Sequence, residues 1–157
     1  MARVVLYVVL LCSIFVGCGE ETFGPDLGQT VGPEHNGLLI EVSFPDTVGV
    51  AQQVVFSVSL TNTRATPYTM PQPHFDVFVL DARGNVLWNY LYGAGVIGTE
   101  FIIQPGEAFE IELVWNQNLN ESGTVTPGKY GVLAVFFETF PPALVSERKS
   151  IVIERSL

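Results

Sequence analysis

Cysteine occurs only twice in this chain of 157 residues, at positions 12 and 18, and histidine only twice, at 35 and 74. Beyond position 18 no thiol remains, which excludes a cysteine nucleophile and any disulfide within that part of the chain. Two isolated histidines, His35 and His74, cannot build a histidine-rich metal centre. Neither H-E-x-x-H, nor G-x-S-x-G, nor a Gly-Lys-Ser/Thr loop occurs. The residues therefore point to no catalytic site, no metal and no cofactor, and an enzyme is not expected. Basic residues are as scarce: seven Lys and Arg stand against sixteen Asp and Glu, for a net charge of −9. A surface of that sign repels phosphate backbones, so nucleic acid is not an expected partner. A helical period is missing everywhere after residue 17.

What is present begins with one long apolar run. Arg3 precedes an uncharged stretch from Val4 to Val16, which is shorter than the about 20 residues that a spanning helix needs. A short basic start, an apolar middle and small residues at the end read as a secretory signal. Taken alone, the run also leaves open a signal cut elsewhere or a single membrane anchor. Its end, Val16-Gly17-Cys18, resembles the lipobox of bacterial lipoproteins, with Phe15 at a position that usually carries Leu. The resemblance implies that residues 1–17 are a leader, that the Cys18 thiol takes a diacylglycerol, and that the chain is cut just before it. One acyl chain holds a protein to a bilayer only marginally, whereas two or more anchor it stably. Cys18 is then a tether, and the expected location is the cell envelope, membrane-anchored on the exported side. Gly19 after the cysteine favours the outer membrane where two membranes exist. Losing Arg3 with the leader moves the net charge from −9 to −10.

Residues 18–37 are rich in Gly and acid and poor in aliphatics, without strand or helix period, and read as a flexible spacer. From Leu38 to the end at 157 the pattern is all β. Val54, Phe56, Val58 and Leu60 alternate with Val55, Ser57, Ser59 and Thr61, and Phe109, Ile111, Leu113 and Trp115 alternate with Ala108, Glu110, Glu112 and Val114. Phe75–Leu80 and Val86–Tyr92 flank a Gly-containing turn and read as a hairpin. Pro105-Gly106 and Pro127-Gly128 are turn pairs, because Pro presets φ at the first central position and Gly supplies a positive φ at the second. Residues 93–98 read as a flexible connection, and further strands are expected at Leu38–Phe44, Phe101–Ile103, Lys129–Phe137 and around Ile151–Ile153. About seven to nine strands with turn signals between them predict one antiparallel β-sandwich over 38–157, with a barrel as the competing architecture.

Few residues in that domain suggest chemistry. Glu110 and Glu112 are two apart on one strand and so share its solvent face. Trp88 and Trp115 are expected in core or rim packing. Asn120-Glu121-Ser122 has the form of a glycosylation sequon, which a bacterial lipoprotein would usually leave unused.

The order of short motifs carries more information. Asn62, Phe75-Asp76-Val77, Asp81-Ala82-Arg83-Gly84-Asn85-Val86-Leu87-Trp88, Gln104-Pro105-Gly106-Glu107, Trp115 and Thr126-Pro127-Gly128-Lys129-Tyr130 follow one another through roughly residues 52–137. That series resembles the BsuPI family of intracellular proteinase inhibitors. The resemblance implies an Ig-like β-sandwich and inhibition of a subtilisin-type serine protease. An inhibitor must present a rigid, substrate-like loop. Two proline-bearing stretches qualify, Thr66–Pro73 and Thr139–Leu144, and no motif residue identifies either as the binding site. The expected partner is a serine protease or another envelope protein. The alternatives are a structural or assembly lipoprotein without inhibitory activity and, further off, a hydrolase or transport component.

Overall fold

Alternation builds the first sheet. The computed structural model describes residues 30–70, 74–92, 100–137 and 143–155. Strand β5 (Val54–Asn62) lies between β10 (Ala108–Trp115) and β3 (Leu38–Ser43), with β2 (Glu34–His35) beyond β3, all antiparallel. In β5 the even positions from Val54 to Asn62 are buried and in β10 the odd positions from Ile111 to Trp115, as their sequence period predicts. Glu110 and Glu112 fall on the solvent side, opposite Ser59 and Ser57.

The second sheet is centred on β11 (Gly128–Phe136). Along one flank it pairs β7 (Phe75–Leu80), which pairs β8 (Val86–Tyr92) in the expected hairpin. Along its other flank β13 (Lys149–Glu154) takes the first half and β12 (Ala143–Val145) the second. Two short strands close this flank in parallel, β4 (Thr47–Gly49) on β13 and β1 (Thr30–Val31) on β12. The chain passes from one sheet to the other between β3 and β4, at Phe44-Pro45-Asp46. Proline, which has no N–H to give to a ladder, suits that break. A small third sheet joins β6 (Tyr68–Met70) to β9 (Phe101–Ile103).

The two large sheets face one another as an Ig-like sandwich. Between them lie Phe56, Trp115, Phe75, Phe136, Ile40, Leu60 and Ile151, each under 2% exposed. Phe56 is the hub of one aromatic group, with Phe44 edge-on at 5.5 Å and Trp88 and Trp115 stacked at 6.0 and 6.2 Å. Phe75 joins a second group through Phe136 at 5.0 Å and Phe109 at 5.8 Å. Both tryptophans are thus packing residues, Trp115 buried and Trp88 at the rim. Tyr130 fixes the entry to β11 by donating its hydroxyl to the Thr126 carbonyl at 2.5 Å, the arrangement known as a tyrosine corner in sandwich domains.

Three expectations change. The stretch read as spacer contains structure in its last part, where Thr30–Val31 and Glu34–His35 are sheet strands. Glu34 and His35 face Leu39 and Leu38 across a two-residue turn in which Asn36 and Gly37 have φ of 49° and 69°, the left-handed pair that matches strand twist in a tight hairpin. The proline-bearing stretch Thr66–Pro73, expected as a presented loop, contains β6, which finds its partner in β9. The strands number 13 among the described residues, against about seven to nine expected, since short edge pieces complete the sheets.

Candidate functional site

The sequence-predicted sites divide by position. Cys18, the proposed lipid attachment point, lies outside the described residues, as do residues 71–73 and 139–142 of the two proline-bearing stretches. Of the first stretch, Tyr68 and Met70 are buried in β6, and of the second, Ala143 and Leu144 are buried in β12. Residues 93–99 also lie outside the described part. The spacing Gly93-x-Gly95-x-x-Gly98 has the form of a dinucleotide fingerprint, whose phosphate would sit at the N-terminus of a following helix, yet the next element among the described residues is strand β9.

Two buried amides prove to be clamps. Asn62 donates to the Thr66 and Ile103 carbonyls, both at 2.9 Å, and accepts from the Arg64 N–H at 3.0 Å. Its own N–H and C=O bind Glu107 and Gly106, so the Gln104–Glu107 turn is tied to the end of β5. Gln117, with φ of 60°, donates to the Gly49 and Gln52 carbonyls at 2.7 and 2.9 Å and accepts from the Ala51 N–H at 3.0 Å. Every polar group of both side chains is paired, and neither offers anything to a ligand. Gln117 follows the strand in a polar run, where no sequence signal marks it as buried.

Asp81 opens the β7–β8 turn. Its carboxylate accepts from the Arg83 and Asn85 N–H groups and from the Asn85 side chain, each at 2.8 Å. Slight desolvation raises its pKa, and these hydrogen bonds together outweigh it, so the carboxyl sits below its ordinary value.

Asp76 is the exception to this satisfaction. Successive residues of a strand point to opposite faces. Phe75, Val77 and Val79 enter the main core, while Phe78 and Leu80 join Val135 and Ala143 in a second apolar cluster on the outer face of the large sheet. Asp76 belongs to that outer face, and it is 5% exposed. Its Oδ2 accepts from Asn89 Nδ2 at 2.9 Å. Asn89 is held in turn by Asn120, whose Nδ2 donates to Asn89 Oδ1 at 2.6 Å and whose Oδ1 accepts from the Asn89 N–H at 3.2 Å. Asp76 Oδ1 is buried and makes no hydrogen bond of good geometry, although the Tyr90 and Val77 N–H groups act on the carboxyl. Desolvation pushes the carboxyl above its ordinary value, against the weaker opposing effect of the Asn89 bond and the Tyr90 and Val77 N–H groups. The sequon residue Asn120 thus has a positioning role that its motif did not suggest.

No protein-family model matches the chain, and no curated protein matches it by sequence. Solved structures do resemble it. A CARDB domain from Pyrococcus furiosus, solved in complex with di-metal ions, is 17% identical, covers 76% of this chain and 94% of its own, and superposes with a TM-score of 0.49. Latent PorU from Porphyromonas gingivalis is 13% identical over 76% of this chain and 10% of its own, with a TM-score of 0.53. Spo0M, a sporulation control protein from Bacillus subtilis, is 12% identical over 78% of this chain and 51% of its own, with a TM-score of 0.52. At such identities the likeness concerns the fold alone: the chain folds as an all-β, Ig-like sandwich.

Proposed function

We propose that this protein is a lipoprotein, anchored to a membrane of the cell envelope through Cys18, whose sandwich domain binds proteins in the manner of the BsuPI family and inhibits a serine protease. The observation that carries the reading is the ordered series of BsuPI-like motifs. The structure lends support in one respect: two pieces of that series, Asn62 and the Gln104–Glu107 turn, form a single hydrogen-bonded unit. The test is titration of subtilisin-like and trypsin-like proteases with the full chain in detergent. Stoichiometric loss of activity with the inhibitor left uncut is expected, and undiminished activity across the panel would remove the inhibitor reading.

A second reading, a structural or assembly lipoprotein, is favoured by what the motif residues do. The Asn62, Asp81, Trp115 and Tyr130 side chains are all engaged in contacts within the sandwich.

A further inference from the structure

We propose that the outer edge of strand β10 binds an extended, basic segment of a partner protein as an added strand, with lysine or arginine side chains of that segment beside Glu110 and Glu112. This goes beyond the inhibitor reading, since it concerns a strand edge and not a proline-bearing loop, and it can fail while that reading stands.

The edge follows from the pairing pattern. β10 ends its sheet and pairs with β5 alone among the described residues. The Asn62 N–H bonds the Glu107 carbonyl, and the ladder to β5 continues from there at Phe109, Ile111 and Leu113. Backbone groups alternate in direction along an antiparallel strand, so the N–H and C=O groups of Ala108, Glu110, Glu112 and Val114 point off the sheet. None of these meets a partner among the described residues. A row of this kind is a template for a further strand. The other edges of the two large sheets are blunted. β1, β2 and β4 have only two or three residues each, and on β8 the Leu87 carbonyl and the Asn89 N–H are taken by Asn120. By contrast β10 runs for eight residues without a proline.

The side chains along the edge select the occupant. Glu110 and Glu112 are exposed, and among the described residues no cation pairs with either. Lys149, which lines a cavity with Glu110, donates instead to the Val42 carbonyl. Side chains directly opposite across a ladder attract when their charges differ and repel when they match. A second copy pairing antiparallel through the middle of the same edge would set glutamate against glutamate, whereas a basic segment complements it. Val114 and its cross-strand neighbour Val55 are 44% and 41% exposed and make an apolar spot at the end of the row. A matching segment antiparallel to β10 therefore carries one apolar residue and then two cations, at alternate positions. The net charge of −9 draws such a segment to the protein.

The experiment uses the isotope-labelled full chain in detergent micelles and reads amide hydrogen exchange along β10. A blocked peptide, Val-Thr-Lys-Thr-Lys-Thr, is titrated in. Without it, the Glu110, Glu112 and Val114 amides are expected to exchange fast and the Phe109, Ile111 and Leu113 amides slowly. Saturation should slow the first set at least about tenfold. Two altered peptides, one with Glu for both Lys and one N-methylated at both Lys, should each bind at least about tenfold more weakly, the second because those N–H groups face β10. N-methylation at the threonines should leave binding intact. The double variant Glu110→Lys, Glu112→Lys should prefer the Glu peptide, and where it fails to fold the N-methyl comparison decides the matter in the unaltered protein. Equal binding of the lysine-methylated peptide, shifts spread evenly over the acidic surface, or no saturation would overturn the proposal. So would Glu110 and Glu112 amides protected before any peptide is added, whether by this chain itself or, if protection grows with protein concentration, by a second copy.

Discussion

Asn62 Nδ2 and the Ile103 carbonyl, 41 residues apart in the chain, meet at 2.9 Å in the interior. Through this bond and its companions to Thr66 and Arg64, one side chain closes the loop after β5 and seats the turn before β10. Replacing Asn62 by Ala leaves two carbonyls and one N–H without their partner. We expect a loss of roughly 2–4 kcal/mol in unfolding free energy, measured by denaturant titration. A loss below about 0.5 kcal/mol would show that water replaces the clamp.

Gly37 tests the hairpin that the spacer reading missed. Its φ is 69°, and a Cβ there would come within 2.6 Å of Arg64 Cγ. Gly37→Ala is expected to cost about 1–2 kcal/mol from left-handed strain together with displacement of Arg64. Gly106 has φ of 78° in open space, so Gly106→Ala should cost only the strain and come out the milder of the two. Equal thermal shifts for the two variants would refute the contribution of the Arg64 contact.

Asp76 and Asp81 predict opposite responses to pH. The ordinary carboxyl value is 3.8 for both. Asp76 is raised in the folded state by burial, so the folded protein holds this proton after the unfolded chain has lost it. Its contribution to stability therefore declines as pH rises from about 3.8 through the higher folded value. Asp81 is lowered, so its contribution is present above 3.8 and is lost as pH falls through the folded value. Asp76→Asn should accordingly gain on the unaltered protein as pH is raised from 3.5 to 7, and Asp81→Asn should lose. Unfolding midpoints of the three proteins at several pH values measure this, and parallel curves would contradict it.

Cys18 carries the proposed anchor. Cys18→Ala should abolish incorporation of labelled palmitate and leave the leader uncut. Label retained in the variant would place the lipid elsewhere, or point to a different kind of anchor.

Much of the sandwich is legible residue by residue. The alternation in β5 and β10 marks both the strand and its buried face, because a half-buried strand writes a period of two into its own sequence. The Asp81–Asn85 turn and the Pro105-Gly106 turn are local as well, since each depends on the φ preferences of its own residues, with Gly84 and Gly106 at φ of 89° and 78°. Pro127-Gly128 departs from that expectation, because Gly128 is not in the positive-φ region and opens β11 instead. The same locality could have revealed the Asn36-Gly37 hairpin. Its flanking strands are only two residues long, too short to show a period.

The remainder belongs to closure of the fold. The short strands β1, β4, β6 and β12 exist because a neighbour distant in sequence offers backbone groups to them, and no side-chain pattern records that offer. Gln117 and Asp76 stand among polar and alternating residues like any others, and only the packed sheets bury them, one fully paired and one with an oxygen that makes no hydrogen bond of good geometry. From its sequence alone this chain declares itself an all-β protein whose core faces are written in alternating apolar residues, since periodicity is a property of each strand by itself. Which strands meet, and which polar groups are cut off from water, is decided by the tertiary structure, because burial and hydrogen-bond satisfaction are properties of pairs that the chain brings together only when it folds.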